Sequence, residues 1–162
     1  MAIHKLDIDE FDEIDYCLIA IHTSLEDFRL AYFINQHLPI NLSKSKDEIH
    51  ISVKEGETHF SRFYFYDEEK CTSWNLIQNK NEVIGREKII KQDLFSNSAQ
   101  EIATKVFLLP ELKKADYFLK IENSEYKTPI LNTITKLKAI KSITTIYSVD
   151  AQTIKSKNNL IF

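Results

Sequence analysis

Apolar residues recur along the chain at two spacings, one typical of strands and one of helices. Residues 15–22 form a short apolar run rich in strand formers, which predicts a strand buried on both faces. Ser24, with Asp27 three residues later, predicts the start of a helix that ends before Pro39. The predicted buried stripe of this helix contains Phe28, Ala31, Tyr32, Ile34 and Leu38.

The middle of the chain alternates apolar and polar residues, which predicts three antiparallel strands over 49–54, 58–66 and 72–78. In the second strand we expect Phe63 and Phe65 to face the helices, while Tyr64 and Tyr66 cover the outer face. Residues 83–90 predict a strand with a bend. A short helix is predicted over 97–104, and residues 91–98 are expected to form a mobile loop.

The second half of the chain predicts a strand over 116–122, a helix with Pro129 at its first position, and a strand over 143–149. Ile130, Ile134, Leu137 and Ile140 form the buried stripe of that helix. The tail, 150–162, ends in three apolar residues, so we expect it to dock on the body.

This order of elements predicts a single α+β domain over residues 1–162, with an acidic and flexible N-terminal segment over 1–14. We expect a mixed, mostly antiparallel sheet with both helices on one face if each crossover is right-handed. The arrangement is ferredoxin-like or ACT-like, with strands inserted in the middle. Architecture of this kind does not determine function.

Composition narrows the function classes. A formal net charge of -3 gives no global attraction to nucleic acid or to an anionic membrane. The N-terminus is acidic, which is unlike a secretory signal, and no apolar run approaches the length needed to span a bilayer. Two cysteines are too few for a disulfide framework or a clustered zinc site. We therefore expect a cytoplasmic protein that does not contact membranes.

Catalytic and cofactor motifs are largely excluded. Two glycines cannot build a phosphate-cradling loop, so nucleotide sites of the Walker and dinucleotide types are excluded, and we expect no cofactor. His50 and His59 could meet across the predicted hairpin around Gly56, and a metal site there would need a carboxylate such as Glu48; an exposed surface is the favoured alternative. Neither cysteine has a nearby base in a suitable position for covalent catalysis.

Aromatic and basic residues supply a candidate interaction surface. Alternating aromatic residues beside an arginine are typical of a platform that stacks single-stranded RNA, although the acidic residues 67–69 oppose a phosphate backbone. Lysines near the second helix form another patch, for which a solvated helix face is the simpler explanation. The residues of the two patches that we single out are Arg62, Tyr64, Tyr66, Lys138 and Lys141.

The stretch "LLPELKKADY", residues 108–117, contains the densest group of candidate site residues. Pro110 predicts one helical turn, at whose start the carboxylate of Glu111 is favoured. Asp116 is predicted to end the turn, and Tyr117 to enter the next strand. These residues either build a corner, which is the simpler interpretation, or form a site in which two carboxylates and a hydroxyl bind a ligand or transfer protons.

The same motif, Leu109-Pro110-Glu111, three residues, then Ala115-Asp116-Tyr117, resembles the one that names the IPExxxVDY family of Bacteroidota proteins. The segments "SLEDFRLAYFINQHL", "LIQNK" and "IKSKNNLIF" are also similar to that family. The resemblance implies a small bacterial cytoplasmic protein without an assigned biochemical activity, and it transfers no catalytic residues.

We therefore expect a non-catalytic binding or adaptor module for a protein or for RNA. The alternative is an ACT-like domain that senses a small molecule near residues 111–117 and forms a homodimer through an exposed strand edge. An enzyme that uses Glu111, Asp116 and Tyr117 is a third interpretation. A ligand pocket that contains the two acids would favour the second and third interpretations.

Overall fold

The computed structural model describes residues 14–54, 56–87, 100–122 and 130–162. Two helices lie in these ranges, α1 (Asp27–His37) and α2 (Ile130–Lys138). The strands are β1 (Tyr16–Thr23), β2 (Ser43–Lys44), β3 (Ile49–Val53), β4 (Gly56–Phe60), β5 (Arg62–Asp67), β6 (Thr72–Gln78), β7 (Lys80–Glu87), β8 (Gln100–Phe107), β9 (Tyr117–Glu122) and β10 (Ile143–Val149). Short 3₁₀ turns occur at Pro110–Leu112, Ala151–Thr153 and Lys157–Leu160. The acidic segment 1–13 and Pro129 lie outside the described residues.

Six strands form one sheet in the order β10-β1-β9-β6-β5-β2, and every described pair in it is antiparallel. The α+β class is confirmed, but the expected mixed sheet is wrong and the ferredoxin-like order is not confirmed. A parallel pair would need a crossover that returns the chain beside β1 in the same direction. Instead, both neighbours of β1, which are β9 and β10, run opposite to it.

Two hairpins stand apart from the main sheet, one formed by β3 and β4 and the other by β7 and β8. The second hairpin shows that the helix predicted over 97–104 is wrong for its described residues, because residues 100–107 pair with β7. Residues 102, 104 and 106 are two positions apart, as residues on one face of a strand are, and β7 supplies the partners for the backbone hydrogen bonds of this segment. Residues 88–99, which include the predicted loop 91–98, lie outside the described residues.

The helices cover one face of the sheet. Leu30, Ala31 and Ile34 of α1 and Ile134 and Leu137 of α2 pack with the inward residues of β1, β9 and β6. The predicted stripe of α1 is partly wrong: Phe28 is 57% exposed and Tyr32 is 59% exposed. The apolar surface of α1 spreads around more of the helix than the sheet can cover, so these two aromatic rings face solvent.

The hairpins and the tail cover the opposite face. Leu18, Ala20, Ile77 and Phe118 point to this side and pack against residues of both hairpins, the 108–115 corner and the tail. Leu160 of the tail is buried in the same cluster. Gly56 lets the hairpins approach closely, because a Cβ built there would lie 3.1 Å from Val83 Cγ1. The fold therefore has three layers, with the sheet buried between the helices and the hairpins.

Candidate functional site

The predicted corner lies between β8 and β9. Pro110 begins a single 3₁₀ turn at Pro110–Leu112, as the sequence predicted. Leu108, Leu109 and Ala115 are fully buried in the hairpin-side cluster. The corner therefore anchors the chain through its apolar residues, while its polar residues are left to contact neighbouring segments.

Asn79, which lies between β6 and β7, holds this corner in place, and sequence reasoning missed it. Its side chain is completely buried and donates hydrogen bonds to the carbonyl oxygens of Leu112 (3.0 Å) and Ala115 (2.8 Å). Its Oδ1 accepts from the backbone N–H of Leu109 at 2.9 Å. The only sequence signal was an amide residue at the junction of two strands, where backbone groups leave the sheet and need other partners.

Glu111 contacts the C-terminal tail. Its Oε1 accepts hydrogen bonds from the backbone N–H groups of Lys155 (2.7 Å) and Ser156 (2.8 Å), and its Oε2 accepts from the Ser156 hydroxyl (3.0 Å). Partial burial opposes ionisation of this carboxyl, but the hydrogen bonds from Ser156, from its own backbone and from Lys155 outweigh it, so its pKa is lowered. Glu111 therefore holds the tail against the corner through these hydrogen bonds.

Asp116 contacts the other side of the corner. Its Oδ2 accepts from the backbone N–H of Thr23 at 2.9 Å, where β1 ends, and its Oδ1 accepts from the ammonium group of Lys80 at 2.6 Å. The Tyr117 hydroxyl donates to the Leu25 carbonyl oxygen at 2.9 Å. Burial, followed by the charges of Asp27, Asp116 and Glu26, raises the pKa of Tyr117 to about 12. The Tyr117 hydroxyl is therefore protonated at neutral pH.

The two carboxylates and the hydroxyl serve different neighbours. Glu111 binds the tail, Asp116 binds the end of β1 and Lys80, and Tyr117 binds the chain before α1. Two clefts that lie among the described residues, of about 240 and 410 Å³, are lined by other residues. The geometry favours the corner-building role over a shared acid–base site.

The stability that the Glu111 hydrogen bonds provide should depend on pH. The pKa of Glu111 is lower in the folded protein than in the unfolded chain, where it has its usual value of 4.5. The ionised carboxylate therefore stabilises the fold fully at pH values above 4.5, and this stabilisation is lost as the pH falls through the pKa of the folded protein. We expect Glu111→Gln to lower the free energy of unfolding by about 1 kcal/mol at neutral pH and by progressively less in acid. Urea unfolding of both proteins across that pH range measures the difference.

Glu69→Gln, in the exposed turn between β5 and β6, is the matched control and should show no such pH-dependent difference. Hydrogen exchange gives a local check, since the amides of Lys155 and Ser156 should exchange faster in Glu111→Gln. A destabilisation that is equal at neutral and acid pH would contradict the role of the ionised carboxylate.

The residues of the predicted interaction surface form two separate groups. Arg62, Tyr64 and Tyr66 alternate with the buried Phe63 along β5 and face the hairpin side. Lys138 ends α2 and Lys141 precedes β10. Since β5 and β10 are four strand spacings apart, the two groups are separated by about 19 Å across the sheet. They do not form a single patch.

Arg62 is also engaged within the molecule. Its guanidinium carbon lies 5.4 Å from the centroid of the Tyr64 ring and 4.7 Å from that of Phe162. Tyr66 is the exposed member of this group at 43%. The platform predicted on β5 is thus partly covered by the tail, a contact that the sequence did not reveal.

The histidine pair does meet across the first hairpin. His50 and His59 are paired residues with ring centroids 6.2 Å apart, and His59 Nε2 lies 3.4 Å from Glu48 Oε2. Among the described residues, no group of three or more His, Cys, Asp or Glu side chains is arranged to hold a metal ion.

None of the described helices is long and apolar enough to cross a membrane. Comparison of the chain with protein families, with curated proteins and with solved structures finds no match.

Proposed function

We propose that this protein is a non-catalytic binding or adaptor module that accepts a strand of a partner protein at the free edge of β10. The observation that carries this proposal is the edge itself. β10 is the outermost strand of the six-stranded sheet, and no other described strand pairs with its outer side. Such an edge presents a row of unpaired backbone N–H and C=O groups, which is a template for an added strand.

The composition of β10 supports pairing. Its seven residues, ITTIYSV, include no charged residue and no proline, and Thr144, Thr145, Tyr147 and Ser148 are exposed. A register shift opposite His22 and Thr23 affects only its first end, and pairing is regular from Thr145 to Val149. The opposite edge differs, because β2 has two residues and ends in Lys44, features that discourage strand addition.

A second copy of the chain is one partner that suits this edge, which would make a homodimer. Lys141 lies just before β10 and Asp150 lies just after it. Antiparallel pairing of two β10 strands brings Lys141 of one copy to the end that carries Asp150 of the other, so the flanking charges are complementary.

The other candidate functions have weaker support. RNA binding by Arg62, Tyr64, Tyr66, Lys138 and Lys141 together requires a continuous surface, and the sheet separates them. An ACT-like sensor requires a ligand cleft at residues 111–117, where the polar groups already have partners. Membership of the IPExxxVDY family and a cytoplasmic location belong to the proposal, supported by the motif at Leu109–Tyr117 and by the composition.

The test places a lysine on the edge, as natural edge strands do to prevent pairing. The tagged full chain is purified from native cells as wild type and as Thr145→Lys, and bound proteins are identified. We expect a stoichiometric partner that survives moderate salt to be lost in Thr145→Lys. Sedimentation of each pure protein shows whether the lost partner is a second copy.

Ser43→Lys, on the exposed opposite edge, is the matched control and should keep the partner. A partner that Thr145→Lys retains, together with a monomeric wild type, would refute strand addition at β10. A dimer that Thr145→Lys converts to a monomer would support the homodimer form of the proposal.

A further inference from the structure

A group of polar side chains lies on the hairpin-side face of the sheet, beneath the end of the tail. Its members are Tyr16 of β1, Lys120 and Glu122 of β9, Asn75 of β6 and Arg62 of β5. Tyr16 pairs with Glu122, and Lys120 pairs with Asn75, so these positions are adjacent in the sheet. We call this group the polar cluster under the tail.

Two cations of the cluster stack on one aromatic ring. Lys120 is only 4% exposed, and its ammonium group donates to the Glu122 carboxylate and, at 2.7 Å, to the Leu160 carbonyl oxygen. That ammonium lies 4.8 Å from the centroid of the Phe162 ring, and the guanidinium carbon of Arg62 lies 4.7 Å from the same centroid. The Phe162 ring therefore spans two cations, an arrangement that favours a planar π system at this position.

The same cluster holds three buried polar atoms without a hydrogen-bond partner: Tyr16 Oη, Arg62 Nε and Asn75 Oδ1. Asn75 is 1% exposed, and its Nδ2 contacts Glu122 at 3.4 Å while its Oδ1 has no donor. Buried polar groups are normally paired, so three in one place need an explanation. A phenyl ring such as Phe162 has no donor or acceptor with which to satisfy them.

We propose that the polar cluster under the tail binds a nucleotide, with the nucleobase in the position of the Phe162 ring. A base offers the flat π face that Arg62 and Lys120 favour, and its rim carries both donors for Asn75 Oδ1 and acceptors for the Tyr16 hydroxyl. Leu160 is buried in the hairpin-side core, so its carbonyl oxygen stays bonded to the Lys120 ammonium when the Phe162 ring is replaced.

The tail then acts as a competitor within the same chain. Ile161 is 76% exposed and Phe162 is 45% exposed, so these two residues are held chiefly by the stacked ring and by one backbone hydrogen bond from Ile161 to Asn158. Removing the Phe162 side chain should open the cluster without disturbing the buried core. This inference is independent of β10, which contributes no residue to the cluster.

Equilibrium dialysis of the full chain against adenosine monophosphate tests the proposal. We expect Phe162→Ala to bind about tenfold more tightly than wild type, because the competing ring is gone. Adding Arg62→Gln should reverse the gain. Lys44→Gln is the matched control, since it removes one positive charge from the neighbouring strand β2 and should leave binding unchanged.

Tyr16→Phe separates a binding role from a structural one. The substitution removes only an unpartnered hydroxyl, so the melting temperature should stay the same or rise, whereas nucleotide binding in the Phe162→Ala background should weaken. A purely structural cluster would leave binding unaffected by this change.

A second dialysis experiment, with a short single-stranded oligouridylate, distinguishes a free mononucleotide from an RNA strand as the ligand. Binding of the oligonucleotide but not of the mononucleotide would assign the site to an RNA strand. No binding of either probe to Phe162→Ala at millimolar concentration, or equal binding by wild type, Phe162→Ala and the Arg62→Gln variant, would overturn the proposal.

Discussion

Replacing Asn79 with alanine is expected to lower the free energy of unfolding by about 2 to 6 kcal/mol, since each buried polar group left without a partner costs about 1 to 3 kcal/mol. The side chain is completely buried, and its loss removes the partners of the Leu109 N–H and the Ala115 carbonyl oxygen. The Leu112 carbonyl oxygen keeps its bond from the Ala115 N–H. Because single domains have only about 5 to 15 kcal/mol of stability, this change approaches the unfolding threshold.

Chemical denaturation of Asn79→Ala and wild type at neutral pH measures this effect. Asn81→Ala in β7 is the control, because Asn81 is only partly buried although its side chain also bonds a backbone oxygen, that of His59. We expect the control to change stability by less than about 1 kcal/mol. An Asn79→Ala protein as stable as Asn81→Ala would show that the corner does not depend on the buried amide.

The regular elements were predictable because local periodicity specifies them. The strand predicted over 143–149 has the same bounds in the structure, and the turn at Pro110 follows from the fixed backbone angle of proline. The start of α1 was misplaced, since the helix begins at Asp27 with Glu26 as its cap rather than at Ser24. Several polar residues near a helix start compete for this position, and packing decides among them.

The hairpin layer could not be predicted from local pattern. The strand predicted over 58–66 is divided at Ser61, with β4 in a hairpin and β5 in the main sheet. Residues 100–107 form a strand only because they pair with β7, which lies before a long intervening segment. Pairing between segments distant in sequence depends on the whole fold, whereas the prediction used neighbouring residues alone.

The residue types of the candidate site were predicted, but their partners were not. Glu111 bonds residues more than forty positions away, and Asp116 bonds Thr23 at a separation of 93. The hydroxyl of Tyr117 bonds Leu25 over a similar separation. The motif therefore links two distant segments of the chain, and these contacts account for its polar residues.

Replacing Phe118 with alanine is expected to destabilise the protein by about 3 to 5 kcal/mol, close to the 2 to 5 kcal/mol expected for the adjacent Leu119→Ala. The two side chains point to opposite faces of β9, and each is completely buried, Phe118 among the hairpins and Leu119 beneath the helices. A sheet with a single covered face would leave Phe118 in solvent and make its replacement nearly neutral. Urea unfolding of both variants compares the two layers directly. Leu131→Ala is the control, because the Leu131 side chain is 80% exposed. A change below about 1 kcal/mol for Phe118→Ala alone would mean that the hairpins and tail do not form a second core.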